Sequence, residues 1–531
     1  MKDELSMDNN ITVQILQNQH LIKVLCEDSV AYELRDHFCF DVPNAKHSPK
    51  FRARLWDGKI RLFNARSRTL PKGLVHKLEE FAKEREYTFS YPDRPEPDVI
   101  DPADMVRRIN PAIPPRDYQL DAYREAFENK RRVIISPTGS GKSLIIYMLT
   151  ASILGFDSTI KKDGPKPEIK MISGKWVTIP PKVVQTNGKK GIIVVPTINL
   201  VNQMYGDFTD YSVYNKFNVE DNIHCVHSGV DPRTKKPLII STWQSLYNLP
   251  DDFFNDIDFI IGDECHLFTA TSLNSIMEKS KKASIRVGFT GTLDGTKINK
   301  LVLEGLFGPV YQNTTTKQLT EEKYLAEQDV RIIVLKHPPS VCEEFFKKMA
   351  PSSALTYQNE LQLITNSERR NNFITNLTVA QDGNTLVLFR LVEHGKVLLD
   401  LLNKKLNGET RKVFFIYGKT DAEYRNEIRA ITEKETNAII LASVGVFSTG
   451  ANIKNLHNVI LASPTKSKIR NLQSIGRVLR ITDTKKTAKI YDLADDLRHK
   501  RKENYTLKHL KERLKVYKEE KFAFKLYNVD L

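Results

Sequence analysis

Three short segments of the sequence carry residues whose types and spacing suit phosphoryl-transfer chemistry. Residues 136–143 read SPTGSGKS, residues 263–266 read DECH and residues 473–480 read QSIGRVLR. They would supply a phosphate cradle, a magnesium-binding pair of carboxylates and arginines that complete the site. Together the three motifs predict a nucleotide hydrolase.

The first segment fits the P-loop template, with Ser136 standing where the template has its first glycine. The apolar run RRVIIS before it predicts a buried strand, and LIIYMLTASIL after it predicts a helix. Phosphates would bind backbone N–H groups at the N-terminus of that helix. Lys142 would neutralise the terminal phosphates, and the Ser143 hydroxyl would bind Mg²⁺. The predicted nucleotide-binding residues are Ser136, Pro137, Thr138, Gly139, Ser140, Gly141, Lys142 and Ser143.

The second segment follows four apolar or small residues, as expected where a central parallel strand ends at a ligand crevice. Asp263 would hold the Mg²⁺ ion. Glu264 would orient or deprotonate the attacking water, a role that phosphoryl transfer to water requires. Two acids after an apolar run are common at strand ends, but the P-loop upstream favours the catalytic interpretation.

The third segment places Arg477 and Arg480 three residues apart, hence on one face if SKIRNLQSIGRVLR is helical. Guanidinium groups there would stabilise the charge that develops on the transferred phosphoryl group. Gln473 belongs to the same segment and is a further candidate catalytic residue. The competing interpretation is a basic helix face that contacts water or nucleic acid.

The composition limits the class of protein. The chain has 531 residues and a net charge of +15, from 80 basic and 65 acidic side chains, which favours a polyanionic partner such as nucleic acid. The five cysteines form no CxxC pair, so neither a disulfide framework nor a zinc site is predicted. The sequence shows neither a signal-peptide pattern nor a membrane-spanning apolar run, so we expect a soluble, cytoplasmic protein without membrane contact.

Apolar runs and prolines predict the order of domains. Residues 1–91 are typical of a small α+β domain, and the proline-rich residues 92–115 of a linker. Residues 116–322 and 323–495 each alternate apolar strands with helices, which predicts two RecA-like, doubly wound α/β domains with parallel sheets. Residues 496–531 are predicted to form a basic, helical C-terminal extension.

Two consequences follow from this division. Because the P-loop lies in the first α/β domain and the arginines lie in the second, the nucleotide site would be completed only when a cleft closes. Residues 156–190 are too long for an ordinary loop and predict a surface insertion with a hairpin at EIKMISGKWVTI. The insertion could contact DNA through its lysines or have no role.

In the N-terminal region, FRARLW and KIRLFN flank Asp57-Gly58, which predicts a β-hairpin with a two-residue turn. Alternation would place the hairpin cations, Trp56 and Phe63 on one face and the aliphatic residues on the other. Arg54 would face Arg61, which is unfavourable unless a phosphate backbone lies between them. A solvated edge hairpin is the alternative. The predicted nucleic-acid-binding residues here are Arg52, Arg54, Trp56, Lys59 and Arg61.

With these motifs in order, residues 116–480 resemble the core of the superfamily 2 helicases. RDYQ is similar to the adenine-sensing element of that family, which implies that Gln119, with Arg116 nearby, reads the base and that ATP is the nucleotide. GFTGT is similar to the motif that couples hydrolysis to unwinding, carried here by Thr290 and Thr292. The insertion at residues 156–190 departs from the family pattern, so the resemblance gives it no role.

Other motifs of the resemblance, among them VPTINL, LFR and VFSTGANI, imply contacts with a nucleic-acid backbone. Hydroxyls, glycines and a cation at strand ends suit that role, because they can hold phosphates without reading bases. Gly450 is implied to belong to the nucleotide site. The implied backbone contacts are Pro196, Thr197, Ser228, Gly229, Thr242, Arg390 and Thr449.

The resemblance implies an ATP- and Mg²⁺-dependent helicase that remodels branched DNA in recombination, repair and replication. Fork regression, Holliday junction branch migration and R-loop unwinding are the implied activities. The implied partners are branched or double-stranded DNA and RNA–DNA hybrids, bound by a monomer, with single-stranded-DNA-binding and recombination proteins as candidate protein partners. Two alternatives stay open: a duplex translocase or RNA helicase that does not separate DNA strands, and a nucleic-acid-binding scaffold with a vestigial ATPase. The full set of catalytic residues argues against the scaffold.

Overall fold

The computed structural model describes residues 10–42, 45–157, 168–172, 175–179, 187–215, 217–269, 271–293, 297–348, 353–407, 410–449, 455–463, 487–519 and 522–531. The chain divides into two compact units. The first unit comprises Met1–Ser136 and Gly141–Asn313. The second comprises Pro137–Ser140 and Thr314–Leu531.

The first unit begins with a four-stranded mixed sheet in the order β5-β2-β1-β6. Helices α1 and α3 cover it with the apolar side chains of one face, because Leu34, Leu78 and Phe81 are all fully buried. The predicted α+β pattern is confirmed. The elements are β1 Asn10–Ile15, β2 Leu21–Leu25, α1 Asp28–His37, β3 Cys39–Asp41, α2 Pro49–Arg52, β4 Lys59–Arg61, β5 Thr69–Pro71, α3 Val75–Glu84 and β6 Thr88–Ser90.

The predicted hairpin at Asp57-Gly58 is wrong. Pro49 occupies the first turn of a short helix, α2, so FRARLW does not form a strand. Strand β4 instead pairs antiparallel with β3, and Arg61 lies opposite Cys39 rather than opposite Arg54. Phe63, predicted on the outward basic face, is 1% exposed and belongs to the core of this sheet.

A seven-stranded, all-parallel sheet follows in the same unit, in the order β11-β12-β10-β13-β14-β7-β15. Every residue of β10 and β12 is buried, as expected of parallel strands covered on both faces. Its strands are β7 Arg131–Ile135, β10 Gly191–Val195, β11 Ile223–Val226, β12 Leu238–Thr242, β13 Phe259–Asp263, β14 Ile285–Thr290 and β15 Val310–Gln312. The sequence predicted five of these strands. It missed β11 and β15, which are too short and too polar to give a clear periodicity.

Helices cover both faces of this sheet. Helix α6 has no polar face and is buried from Leu144 to Ile153 in the larger core. The insertion carries the predicted hairpin, because β8 and β9 pair antiparallel. The elements are α4 Pro102–Ile109, α5 Asp117–Asn129, α6 Lys142–Ile153, β8 Glu168–Ile172, β9 Lys175–Ile179, α7 Ile198–Tyr211, α8 Val219–Asn222, α9 Trp243–Leu246, α10 Thr271–Lys279 and α11 Lys297–Phe307.

The second unit contains a second all-parallel sheet of seven strands, in the order β18-β19-β17-β20-β21-β16-β22. Its strands are β16 Glu327–Lys336, β17 Thr385–Phe389, β18 Val413–Ile416, β19 Ile439–Ser443, β20 Asn458–Leu461, β21 Thr487–Asp496 and β22 Phe524–Asp530. Its helices are α12 Thr316–Glu321, α13 Pro339–Lys347, α14 Ser353–Asn366, α15 Glu368–Val379, α16 Val392–Lys405, α17 Ala422–Lys434, α18 Val444–Thr449 and α19 Tyr505–Glu519. The two predicted doubly wound, RecA-like domains are confirmed.

Two segments contain structure that the sequence did not predict. The proline-rich linker includes α4, which starts at an Asp101 N-cap and ends at Asn110 in the left-handed region. The C-terminal extension has its predicted helix, α19, and then adds β22 beside β16 as an edge strand. The boundaries assigned to the five regions stay predictions.

Two further predictions concern cysteines and membranes. The five cysteines are free thiols. Across the described ranges, none of the helices combines the length and apolarity that crossing a membrane requires.

Candidate active site and nucleic-acid surface

The P-loop follows β7 and leads into α6, the context that the motif requires. Ser136 is fully buried and donates its backbone N–H to the carbonyl of Thr290 on the neighbouring strand at 2.9 Å. Gly139 and Gly141 have φ values of 90° and 77°, in the left-handed region that glycine adopts without strain. The loop therefore has the tight path that directs backbone groups toward phosphates.

Lys142 and Ser143 form the first turn of α6. The Lys142 ammonium donates to the Ser136 carbonyl at 3.1 Å, so the side chain folds back across its own loop. The Ser143 hydroxyl lies 2.8 Å from the phenol oxygen of Tyr211, at the end of α7. Tyr211 was not among the predicted site residues, because nothing in its local pattern distinguishes it from a core aromatic residue.

The adenine-sensing candidates lie at the start of α5. Gln119 is 4% exposed, accepts a hydrogen bond from the Arg116 backbone at 2.9 Å and donates to the Gly141 carbonyl at 3.3 Å. A Cβ added at Gly141 would collide with the Gln119 amide nitrogen. Gln119 therefore packs directly against the P-loop, and the left-handed backbone at Gly141 favours glycine there.

Asp263 ends β13, and Glu264 follows it with a φ of 50°, a conformation uncommon for residues other than glycine. Burial and the adjacent Glu264 carboxylate raise the pKa of Asp263 to about 7, and the charge of Lys142 opposes this rise. The two acids and the lysine thus share one electrostatic environment. Glu264 Oε2 is buried and has no hydrogen-bond partner within the described part of the chain.

A polar chain leads from Glu264 to the coupling motif. Glu264 Oε2 lies 3.5 Å from His266 Nδ1, and the same nitrogen lies 2.9 Å from Thr290 Oγ1. Thr290 Oγ1 in turn donates to the Thr292 carbonyl at 2.9 Å. His266 was not among the predicted site residues, although its place within DECH was a signal that could have identified it.

The sheet places these residues and the predicted backbone contacts on one edge. Because its strands are all parallel, their carboxyl ends meet at the same edge, where ligands of doubly wound folds bind. Neighbouring strands β13, β14 and β7 carry the nucleotide-site residues. The next strands, β10, β12 and β11, precede the predicted backbone contacts. The candidate nucleotide-site residues and the predicted backbone contacts therefore lie on adjoining halves of one edge.

The predicted backbone contacts differ in exposure. Ser228 and Gly229 are exposed after β11, and Gly229 has a φ of 87°. Thr197 caps α7 by accepting from the Leu200 backbone at 3.4 Å. Pro196, beside it, is half-buried. Thr242 is 4% exposed, so of these positions it is the least able to touch a ligand in this conformation.

In the second unit, Arg390 follows β17 and is exposed. It donates to the hydroxyl of Tyr357 on α14 at 2.7 Å, with the guanidinium 5.6 Å from the ring centre. Tyr357 also contacts Tyr505 of α19, with ring centres 5.7 Å apart. Thr449 ends α18, and its side chain lies outside the description, as do the residues Gly450, Gln473, Arg477 and Arg480.

The five N-terminal candidates lie in and beside the α2–β4 segment rather than on a hairpin. Trp56 Nε1 donates to the Lys59 carbonyl at 2.7 Å, and Arg61 forms an ion pair with Asp57 at 2.5 Å. Arg52 and Arg54 are exposed. The predicted residues thus lie close together at the surface, although the segment forms a short helix and a strand paired with β3 instead of the predicted hairpin.

Comparisons with known proteins agree with this architecture. Residues 10–92 match the family model "DNA helicase UvsW, N-terminal", residues 112–295 match "Type III restriction enzyme, res subunit", and residues 368–482 match "Helicase conserved C-terminal domain". With two all-parallel sheets and a P-loop on the first, these matches define a superfamily 2 helicase.

Similarity to individual proteins is more specific. The ATP-dependent DNA helicase uvsW of Enterobacteria phage T4 is 32% identical over 536 residues, which cover 96% of this chain and 98% of that protein. The chain belongs to the UvsW family of ATP-dependent DNA helicases. A crystal structure of T4 UvsW, 30% identical, covers 98% of this chain and 99% of its own, with a TM-score of 0.46.

Two more distant similarities also cover most of the chain. The "DNA 3'-5' translocase XPB2" of Sulfurisphaera tokodaii is 22% identical over 399 residues, covering 71% of this chain and 80% of that protein. A fragment of a putative HsdR subunit of a type I restriction enzyme from Vibrio vulnificus, 16% identical, covers 81% of this chain and 72% of its own, with a TM-score of 0.54. The second likeness supports the fold alone.

Proposed function

We propose that this helicase uses ATP to remodel branched nucleic acid, through fork regression, Holliday junction branch migration and R-loop unwinding. Such work would serve recombination, repair and replication in the cytoplasm. The proposal is supported by the adjoining halves of the first parallel sheet's edge, one carrying nucleotide-site residues and the other predicted backbone contacts. Phosphate-backbone contacts suit substrates defined by their shape, because they carry no sequence information.

In the proposed mechanism, the backbone of the P-loop binds the phosphates and Lys142 neutralises their terminal charge. Gln119, packed against Gly141, would position the adenine so that base binding and loop conformation depend on each other. Glu264 would orient the water that attacks the terminal phosphorus and accept its proton. Gln473, Arg477 and Arg480 keep their predicted role of stabilising transition-state charge.

The donor set of the site fits a magnesium ion. Ser143 and Asp263 would hold it, and Mg²⁺ generally takes one or two protein ligands together with substrate phosphates and water. When bound, the ion would neutralise charge on the phosphate oxygens.

The polar chain Glu264–His266–Thr290–Thr292 is the observation that carries the proposed coupling. A new hydrogen bond to Glu264 during hydrolysis would alter its 3.5 Å contact with His266, which in turn lies 2.9 Å from Thr290. Thr290 ends β14, next to β13 in the sheet, so the change would reach the motif implied to couple hydrolysis to unwinding.

The test offers the full-length protein a forked DNA, a static Holliday junction, an R-loop, an RNA duplex and a linear DNA duplex, each with ATP. We expect rapid ATP-dependent remodelling of the branched DNA substrates and the R-loop, with little separation of the RNA duplex. Lys142→Ala serves as the control without hydrolysis. Failure to remodel any branched substrate, while ATP turnover is stimulated by linear duplex, would overturn the proposal.

ATP turnover stimulated by linear duplex, without remodelling of any branched substrate, would favour a duplex translocase. The similarity to a protein named as a DNA translocase makes this the runner-up function. Displacement of a triplex-forming strand from linear duplex by the wild-type protein, without strand separation at a fork, would identify it.

A further inference from the structure

An open pocket of about 680 Å³ lies on the N-terminal domain, and none of its lining residues belongs to the parallel sheet that carries the candidate nucleotide site. It is formed by α2 and the segment that leads into β4. Its volume is of the size that accepts a small organic group. The lining residues are Lys46, Phe51, Arg52, Arg54, Trp56 and Asp57.

Two aromatic side chains of this pocket are held in place by local contacts. The indole of Trp56 is fixed by its hydrogen bond to the Lys59 carbonyl at 2.7 Å. The ring of Phe51 packs over Gly58, where an added Cβ would lie 3.0 Å from it, and Gly58 has a φ of 80°. The pocket therefore presents preformed aromatic surface.

The charge of the pocket is positive. Lys46, Arg52 and Arg54 contribute three cations to its lining. The one acid, Asp57, is already paired with Arg61, and this contact lowers the pKa of Asp57 to about 2. Arg52 Nε donates to the Lys46 carbonyl at 3.3 Å, a contact that leaves its charge uncompensated, so the lining presents three positive charges to a polyanion.

The rim is exposed and strained. Leu55 is 80% exposed, an unusual position for a large aliphatic side chain. The residue before it, Arg54, has a φ of 56°, in a region that costs free energy for residues other than glycine. Such backbone strain is typical of loops that contact a ligand, and the exposed Leu55 is next to it in the chain.

We propose that this pocket binds one unpaired nucleotide at a branch point, with its base against Trp56 and Phe51 and its phosphates near Lys46, Arg52 and Arg54. Bases within a duplex stack on each other and expose no face, whereas an unpaired base can stack on an aromatic side chain. Leu55 then packs against the adjoining terminal base pair, as apolar wedges do in other DNA-binding proteins. This inference rests on the proposed function, since it names the structural feature by which a branch is recognised.

The experiment uses the full-length protein without ATP and measures Kd for two DNA junctions that differ by one unpaired nucleotide. That nucleotide is 2-aminopurine, whose fluorescence is quenched when it stacks on an aromatic ring. Trp56→Leu removes the stacking surface and keeps an apolar side chain. Arg54→Gly removes a cation and accepts the left-handed backbone without strain. Tyr32→Leu is the matched control, because Tyr32 is 56% exposed in the same domain and stacks with Arg35 at 5.1 Å outside the pocket.

We expect Trp56→Leu to raise Kd for the junction with the unpaired nucleotide about tenfold, the usual scale of one stacked base, and to reduce the quenching to the part that Phe51 supplies. Kd for the fully paired junction should change less than about twofold, and Tyr32→Leu should match the wild type on both. Arg54→Gly should weaken junction binding most at low salt. The same junction with 2-aminopurine as an unpaired ribonucleotide shows whether the pocket prefers RNA or DNA. Quenching of either nucleotide supports the proposed pocket.

Equal loss of affinity for both junctions, or unchanged quenching in Trp56→Leu, would overturn the proposal. Circular dichroism of each variant checks that the domain stays folded. Because ATP is absent, the result does not depend on remodelling: a wild-type protein that fails the substrate test above can still show this preference. The proposed pocket and the proposed remodelling activity can therefore be refuted independently of each other.

Discussion

His266 Nδ1 lies 2.9 Å from Thr290 Oγ1, and this contact joins the Asp-Glu motif of β13 to the motif that follows β14. The same histidine nitrogen lies 3.5 Å from Glu264 Oε2. A single side chain thus contacts both the residue proposed to activate water and the residue implied to couple hydrolysis to movement. We therefore expect the contacts of His266 with Glu264 and Thr290 to determine whether ATP turnover is converted into unwinding.

The first prediction separates the two activities at Thr290. Thr290→Val removes the hydroxyl and keeps the shape, whereas Thr290→Ser retains the hydroxyl and serves as the matched control. Loss of a buried hydrogen bond of this kind costs about 1–2 kcal/mol, so unwinding per ATP hydrolysed should fall by roughly tenfold in Thr290→Val. Parallel measurements of ATP turnover and fork unwinding test this. If both rates fell by the same factor, Thr290 would act in hydrolysis rather than in coupling.

The second prediction concerns Glu264. Glu264→Gln keeps the size of the side chain but removes the base, so kcat for ATP hydrolysis should fall by at least about a hundredfold. Nucleotide affinity, measured with a fluorescent ATP analogue, should change only a few fold because the P-loop is intact. Glu278→Gln, an exposed acid on α10, is the control. Hydrolysis at the wild-type rate in Glu264→Gln would remove the catalytic assignment.

The P-loop and the Asp-Glu pair were predictable because each is a local arrangement set by its flanking strand and helix. Gly141 must adopt positive φ beside Gln119, and Asp263 must end a buried strand, whatever else the chain does. Contacts between distant segments were not predictable in this way. Tyr211 lies 68 positions from Ser143, and no sequence pattern connects them.

The N-terminal segment shows how a strong local signal can mislead. Asp57-Gly58 does form a turn, with Asp57 accepting from the Lys59 backbone at 3.1 Å. The preceding residues, however, begin with Pro49, which favours the first turn of a helix over a strand. The partner of β4 is therefore β3, a choice that depends on tertiary packing and not on the turn.

A third prediction tests how the N-terminal domain packs on the first parallel-sheet domain. A Cβ added at Gly73 would overlap the carbonyl oxygen of Glu304 on α11. Gly73→Ala should therefore destabilise the protein by about 1–3 kcal/mol, the usual cost of overpacking against backbone. Gly206→Ala on α7 is the matched control, because nothing lies within 4 Å of the added carbon.

Gly206→Ala should instead raise the free energy of unfolding, because alanine in a helix interior is favoured over glycine by up to about 1 kcal/mol. Urea unfolding of both variants measures the difference. Equal stability of the two variants would show that α11 shifts to accommodate the new side chain.

The last prediction concerns pH and a buried histidine at the same interface. His20 is 7% exposed, and its Nδ1 lies 3.0 Å from Nη1 of Arg286, which is fully buried. Burial, and then the charges of Arg286 and Arg131, lower the pKa of His20 to about 3. The folded protein therefore holds His20 neutral, whereas the unfolded chain protonates it below a pKa of about 6.5.

Since the unfolded state then binds the additional proton, the stability contributed by His20 is present above pH 6.5 and is lost as the pH falls toward 3. The loss is about 1.4 kcal/mol per pH unit below the unfolded pKa. His20→Gln keeps a hydrogen-bond acceptor for Arg286 and cannot be protonated, so its free energy of unfolding should fall less between pH 7 and pH 5. His224→Gln, a half-exposed position on β11, should retain the wild-type slope. Identical slopes for wild type and His20→Gln would mean that the interface accommodates a charged histidine.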